Sequence, residues 1–248
     1  MNLYTRLKSI VLSLFPRKLL FRYEGVFRSV YYLKYKGNNY RCNICGAGLK
    51  SFVPMNDDRL CPKCGSLERT RRLWDIVSTS FLENDPVVLD FSPSRNMYRK
   101  MKKTVKNYVS TDLSGDFIAD QSYDITNIDC PNNHFDLILC YHVLEHIDSD
   151  KRAMSELHRV LKSGGYCIIQ TPFKEGDIYE DPTITDPVER EKHFGQDDHV
   201  RIYSVDGLKQ RLEHSGFDVD IRTFSEDREN LHGFAKEEVV LVCKKLPL

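Results

Sequence analysis

The chain is 248 residues long, with 36 Lys/Arg set against 36 Asp/Glu and 41% apolar residues, which leaves room for one α/β domain and a small additional module. This make-up excludes a disordered, collagenous or supercharged chain, and no uninterrupted run of about 18 apolar residues offers a bilayer span. The neutral total conceals two opposed parts: residues 1–72 hold 15 Lys/Arg and 4 Asp/Glu, and residues 73–248 hold 21 and 32. A basic front points to an anionic partner such as lipid headgroups, phosphates or nucleic acid, or to docking on the acidic body itself.

Residues 3–15 place Leu3, Leu7, Ile10, Val11, Leu14 and Phe15 on one helical face, Pro16 interrupts, and residues 17–36 carry Leu19, Leu20, Tyr23, Phe27, Val30 and Tyr31 among Arg22, Arg28, Lys34 and Lys36. Such basic amphipathic helices suit lying in a membrane surface; packing on the protein itself is the alternative. The apolar core is short and lacks a small-residue cleavage site, so a secretory signal fits poorly. Cys42, Cys45, Cys61 and Cys64 follow in C-x2-C-x15-C-x2-C, the spacing of a structural zinc site with no open coordination position. The other four cysteines, Cys130, Cys140, Cys167 and Cys243, are scattered, which suits a reducing, cytoplasmic compartment better than a disulfide framework. Ser66 offers a cap for the next helix, whose Arg69, Arg71 and Arg72 read as anion ligands or as a solvated face.

Asp85-Pro86 marks a boundary, and Val87–Asp90 reads as a first strand, followed by a loop, Phe91-Ser92-Pro93-Ser94, without glycine. Ser94 can cap the helix after it, with that helix's amino end toward a ligand. Tyr108–Asp112 reads as a second strand, and Asp112 lies 22 residues after Asp90, near the interval of about 20 at which a carboxylate grips ribose hydroxyls. Phe135–Tyr141 is a buried apolar run; Ala153, Leu157, Val160 and Leu161 then recur at helical spacing, Gly164-Gly165 stops that helix, and Tyr166–Thr171 is a second apolar run. Strand, helix, strand makes a right-handed βαβ unit in a parallel sheet, whose ligands bind at the carboxyl ends, so Cys140, Tyr141, His142 and Thr171 face a site.

FDLI, HVLEH and RVLKSGG between Phe135 and Gly165 resemble the fourth strand, following helix and fifth strand of class I S-adenosylmethionine (SAM)-dependent methyltransferases of the type 11-like kind. CPKCGSLERTRR, EDPTITDPVERE and HFGQDDHVRIY resemble a bacterial group in which a four-cysteine zinc ribbon precedes the SAM domain. That group also lacks the usual G-x-G-x-G pattern and places a proline in the first loop, so residues 90–94 read as a variant loop. The resemblance covers residues 40–245 and implies an α/β fold: a doubly wound, seven-stranded Rossmann-like sheet whose last two strands form a hairpin, preceded by a small helical and zinc-ribbon module. The implied domains are basic helices over 1–38, a ribbon over 39–66, and a methyltransferase domain over 67–248 with a lid over about 173–203. It implies SAM contacts at Asp90, Phe91, Ser92, Ser94, Asp112, Leu113, Asp124, Ile125 and Tyr141, with Asp124 accepting from the adenine amino group.

Methyl transfer is an in-line displacement at a sulfonium, for which positioning is the main requirement and no catalytic metal is needed. A hydroxyl or amine acceptor needs a base, and His142, His146 and His199 are the candidates. His193, Gln196, Asp198, Arg201 and Tyr203 form a polar set suited to the acceptor, or to a network that holds the lid closed. The expected acceptor is a small molecule or glycan, such as a lipid-linked or cell-envelope saccharide, with residues 1–36 at the inner membrane surface. An RNA methyltransferase is the enzyme rival, disfavoured by the acidic body; a scaffold that has lost SAM is the non-enzyme rival. Residues 225–238 read as a mobile polar loop.

Overall fold

The computed structural model describes residues 17–55 and 58–247, the side chains of residues 17–23 excepted; the predicted helix over 3–15 lies outside them. Two compact units are formed: one of residues up to Asp75 together with Glu226–Ala235, the other of Ile76–Ser225 and the residues from Lys236 onward. No described helix is long and apolar enough to cross a membrane.

In the first unit, α1 (Arg17–Leu33) leads into β1 (Lys36–Arg41), which pairs antiparallel with β2 (Gly48–Leu49), and β3 (Val53–Met55) pairs antiparallel with β4 (Asp58–Leu60). The unit continues into α2 (Glu68–Ser80), whose first turn is capped by Asp58 rather than Ser66: Asp58 Oδ1 accepts from Glu68 N at 3.0 Å.

The second unit is a mixed six-stranded sheet of β5 (Val87–Phe91), β6 (Asn107–Thr111), β7 (Phe135–Tyr141), β8 (Leu161–Gln170), β11 (Phe217–Ser225) and β12 (Glu237–Lys245), in the order β11-β12-β8-β7-β5-β6. β9 (Tyr179–Glu180) and β10 (Arg201–Ile202) form a separate antiparallel pair. The four strands β5 to β8 are parallel, and β12 enters antiparallel against β8 and hairpins with β11, as the resemblance implies. Among the described residues the sheet has six strands and not seven. Between Asp112 and Phe135 a single parallel bridge, Thr111 to Gln121, stands where a third strand was expected. The residues there, Asp120-Gln121-Ser122-Tyr123-Asp124, lack the apolar run that holds a strand in a buried sheet.

The helices are α3 (Arg95–Thr104), α4 (Asp150–Val160), α5 (Pro187–Phe194) and α6 (Val205–His214). α4 buries Ala153, Met154, Leu157 and Val160 in the core beside Ile138, Ile169 and Leu212; each large side chain there contributes roughly 1.5–3 kcal/mol. It ends at Val160, and β8 starts at once at Leu161. Gly164-Gly165 therefore lies inside β8, at the register shift against β7 between Phe135 and Leu137, where Gly164 takes a φ of 79°. Ser204 caps α6 by accepting from Gly207 N, whereas Ser94, at the cap position of α3, makes no side-chain bond to that helix's backbone.

Candidate functional site

Parallel order brings the ends of β5, β6, β7 and β8 to one edge of the sheet. The residues that follow the neighbouring strands β5 and β7, Ser92 and His142, both adopt left-handed backbone, with φ of 48° and 54°. That region is costly for a side-chain-bearing residue and collects at functional sites. Ser92 thus makes, without glycine, the turn for which glycine is the ordinary choice. It is pinned on both sides: Ser92 N donates to Thr111 O at 2.8 Å, and its hydroxyl donates to Asp112 Oδ1 at 2.8 Å. His142 N donates to Gln170 O at 2.8 Å, which ties the end of β7 to the end of β8.

The predicted cofactor residues divide by environment. Asp90 is buried on β5 and accepts from the Tyr108 hydroxyl at 2.8 Å; burial, only partly offset by that bond, pushes its carboxyl up to about 7. Phe91 and Ile125 belong to the core, whereas Leu113 is exposed just past β6. Asp112 is buried, and its carboxylate also accepts from Ser114 Oγ at 2.9 Å and Gly115 N at 2.7 Å. Asp124 is exposed and takes Thr126 N and Thr126 Oγ1, each at 2.8 Å, a bond pattern that lowers its carboxyl. Tyr141 ends β7 half-buried, and the Ser94 hydroxyl donates to Asn96 Oδ1.

A second group converges from further along the chain. After β7, residues Leu144–His146 form one 3-10 turn that carries Glu145 inward, 1% exposed. Glu145 Oε1 lies 3.1 Å from His142 Nδ1. Burial acts to raise the Glu145 carboxyl, but the bond to His142 and the nearby histidines outweigh it and hold the group below its ordinary range. His146 Nδ1 lies 3.1 Å from Asp198 Oδ2, and the His146 and His199 rings meet edge to face, centroids 4.7 Å apart. All three predicted bases therefore share one neighbourhood with Glu145. That carboxylate was missed in the sequence, although the H-x-x-E-H spacing puts it one turn from His142. Four buried polar atoms there have no hydrogen-bond partner among the described residues: Glu145 Oε2, His199 Nε2, Gln170 Oε1 and Thr171 Oγ1.

Arg201 and Tyr203 are buried in a polar network. Every guanidinium nitrogen of Arg201 is engaged: Nε with Glu180 Oε2 at 2.9 Å, Nη1 with the Leu144 and Ile147 carbonyls, Nη2 with Asp148 O at 2.9 Å. The Tyr203 hydroxyl donates to Asp150 Oδ2 at 2.6 Å, and Arg211 bridges Asp150 and Glu180. Arg211 first, then Arg201, hold the Glu180 carboxyl down at about 2. These side chains fasten β9, β10 and the 3-10 turn together, so the expected acceptor contacts of Arg201 and Tyr203 are taken up by internal partners. His193 bonds to the Tyr179 hydroxyl at 2.7 Å, and Gln196 is exposed.

A model of the methyltransferase domain family matches residues 67–220, well over half of the chain. The chain belongs to the methyltransferase domain family. Among solved structures, this methyltransferase domain is similar to a SAM-dependent methyltransferase of Archaeoglobus fulgidus (18% identity, 71% of this chain and 93% of that one, TM-score 0.52). It is also similar to YcgJ of Bacillus subtilis (13%, 71% and 98%, TM-score 0.51) and to a SAM-dependent methyltransferase of Thermotoga maritima (17%, 72% and 91%, TM-score 0.50). At these identities the likeness is one of fold. No curated protein matches the chain by sequence.

The methyltransferase's four paired cysteines come together in the first unit. Each C-x-x-C-G turn closes in the same way: Gly46 N donates to Cys42 O and Gly65 N to Cys61 O, both at 2.8 Å, with the glycines at φ of 72° and 78°. Cys42 Sγ lies 3.7 Å from Cys64 Sγ, and Cys45 Sγ lies 3.8 Å from Cys61 Sγ. A tetrahedral ion with metal–sulfur bonds of about 2.3 Å has edges of about 3.8 Å, so the donor set fits zinc. The Ser66 hydroxyl lies 3.3 Å from both Cys42 Sγ and Cys64 Sγ.

Arg71, which the sequence left as an anion ligand or a solvated side chain, is fully buried. Among the described residues its guanidinium donates only to backbone carbonyls, those of His232, Ser66, Arg59 and Gly233, and its carbon sits 4.1 Å over the Phe52 ring. Burial pulls the group down, and Cys42 and Cys61 lead the charges that support its cationic form. A buried cation with no carboxylate bonded to it among the described residues matches a cluster of four thiolates on one divalent ion, which would carry a net negative charge. Residues 226–235 belong to this unit: the Asn230 side chain closes the loop on Phe234 N and Phe234 O, and His232 Nδ1 meets Arg41 O at 2.7 Å. The predicted mobile loop is thus an ordered part of the cysteine unit.

Proposed function

We propose that the chain transfers the methyl group of SAM to a hydroxyl of a polar, saccharide-like acceptor seated at the ends of β7 and β8, beneath residues 173–203. The observation that carries this reading is the set of four unpartnered buried polar atoms beside His142. Groups left unpaired inside a protein mark a place where a polar ligand completes the bonding. His142 has the reach of a base for the acceptor proton, and Glu145, held ionised against its Nδ1, supports the imidazolium that results. The strained turns at Ser92 and His142 hold donor and acceptor from neighbouring strands, and this positioning supplies most of the acceleration for an in-line transfer. An RNA acceptor is the weaker reading, because residues 73–248 carry 21 Lys/Arg against 32 Asp/Glu.

Zinc at Cys42, Cys45, Cys61 and Cys64 belongs to the same proposal in a structural role, since four thiolates leave no open position. So does contact with an anionic lipid surface through residues 1–36: Val26, Phe27, Val30 and Leu33 stand exposed on α1, and residues 1–72 hold 15 Lys/Arg against 4 Asp/Glu.

The deciding experiment is titration of the zinc-loaded chain with SAM and with S-adenosylhomocysteine, followed by transfer of labelled methyl from SAM to extracted envelope glycans and glycolipids. Micromolar binding that weakens in Asp112→Ala, with label appearing on the saccharide fraction, supports the reading. A folded chain that binds neither nucleotide overturns it in favour of a scaffold, and label on RNA alone overturns the acceptor class. Flotation with vesicles containing phosphatidylglycerol tests the surface contact; equal flotation after removal of residues 1–36 removes it.

A further inference from the structure

We propose that Glu145, His146 and His199 form a divalent-cation site at the end of β7, and that the bound cation holds and activates the acceptor oxygen. Each of the three residues offers one ligand atom, and these atoms all lie within 4.8 Å of one another. Small rotations bring such atoms to the ~3.4 Å separations of nitrogen and oxygen ligands sharing one ion at about 2.1 Å.

The buried atoms point to a ligand independently of that spacing. His199 is 3% exposed and Glu145 1%, yet His199 Nε2 and Glu145 Oε2 have no hydrogen-bond partner among the described residues. The opposite atom of each side chain is already fixed. His199 Nδ1 donates to Phe194 O at 3.1 Å, which makes Nε2 the lone-pair nitrogen, and Glu145 Oε1 lies 3.1 Å from His142 Nδ1. His146 Nδ1 lies 3.1 Å from Asp198 Oδ2, which likewise leaves its Nε2 as the lone-pair nitrogen. A carboxylate or carbonyl behind each imidazole is the outer arrangement that metal-bound histidines use to set tautomer and basicity. Internal hydrogen bonds alone explain the Nδ1 atoms but not the orphaned Nε2 and Oε2.

Two imidazoles and one carboxylate suit Zn2+, Fe2+, Mn2+ or Co2+, and three protein ligands leave positions open for substrate. The sulfonium needs no metal; the acceptor gains from one. An acceptor hydroxyl bound at an open position passes its proton to His142 more readily. Its O–CH3 bond then forms as the S–CH3 bond of SAM breaks, and neutral S-adenosylhomocysteine leaves. The acceptor half of this proposal rests on the methyl-transfer reading above; the cation half does not.

The test titrates the full chain, its cysteine cluster already filled with zinc, with Co2+ alone. One further equivalent should bind, with visible bands of nitrogen and oxygen ligation and without thiolate charge transfer. Glu145→Gln and His199→Ala should each weaken Co2+ at least 100-fold. Asp198→Asn, at a carboxylate 63% exposed and so remote from the core, should weaken it about tenfold. Absence of a further equivalent, or unchanged affinity in Glu145→Gln and Asp198→Asn, overturns the site. SAM titration of the same samples separates the two readings. Co2+ binding without SAM binding defeats methyl transfer and leaves the cation site, and the converse defeats the site alone.

Discussion

The Tyr108 hydroxyl donates to Asp90 Oδ2 across 2.8 Å between the neighbouring parallel strands β6 and β5. Burial, only partly offset by this bond, pushes the Asp90 carboxyl up to about 7, above its value in an unfolded chain. The folded state therefore holds the proton more tightly. The resulting stability is fully present below about pH 4 and is lost as pH rises to about 7. Asp90→Asn, which keeps an acceptor for Tyr108 and never ionises, should show no such loss. Its stability relative to the parent should improve by on the order of 2–4 kcal/mol between pH 4 and pH 8, read from urea midpoints at both values. A constant gap between the two proteins would show that Asp90 ionises freely.

Ser92 carries the turn after β5 at a φ of 48°. Ser92→Gly relieves the backbone cost and should bind SAM within about threefold of the parent, although it forfeits the bond to Asp112. Ser92→Val places a β-branched side chain where it is least tolerated and should lose SAM binding at least tenfold. Calorimetric titration of both variants checks this; equal affinity in the two would separate the turn from the cofactor.

Gly233 sits at a φ of 61°, and a Cβ there would meet the Phe52 ring at 2.4 Å, while its carbonyl accepts from Arg71. Gly233→Ala should displace Phe52 or the loop and cost about 1–3 kcal/mol. Arg71→Met should cost more, about 3–5 kcal/mol, because it removes the bonds to four carbonyls and leaves the thiolates without their buried cation. Zinc released to a chromophoric chelator during urea unfolding reports both. The order Arg71→Met, then Gly233→Ala, then parent is expected for ease of release.

Glu180 is held low by Arg211 and Arg201, so its share of stability is present above about pH 4.5 and is lost as pH falls toward 2. With the side chain 37% exposed, solvent screening limits this to about 1 kcal/mol. Glu180→Gln should flatten that part of the acid limb and hasten proteolysis within residues 173–203. An unchanged cleavage pattern would remove the network's role as the fastening of that segment.

Local composition revealed what local contacts determine. The apolar runs of β5, β7 and β8, the helical spacing on α4 and the paired thiols could all be read, because a strand's burial or a C-x-x-C-G turn depends on adjacent residues. The convergence of His146 with His199 depends on a return of the chain more than 50 residues later. Arg201 and Tyr203 looked like acceptor ligands because a sequence cannot show that their donors end on Leu144, Asp148 and Asp150. Residues 225–238 read as mobile for the same reason. Their polar composition hides the carbonyls that satisfy Arg59 and Arg71. The absent third strand was implied by resemblance alone, and the polar residues 120–124 do not sustain it.

The carbonyls of His232, Gly233 and Phe234 also set an order of events during synthesis. The paired cysteines and Arg71 leave the ribosome about 150 residues before the loop that completes their unit, on the order of 10–30 s earlier. Through that interval the nascent ribbon holds a cation that has its bonds to Arg59 O and Ser66 O but lacks those to His232 O and Gly233 O. A fragment that stops short of Gly233 would be frozen at this stage, left to its two short strand pairs, the Ser66 and Arg59 carbonyls and metal capture to organise it.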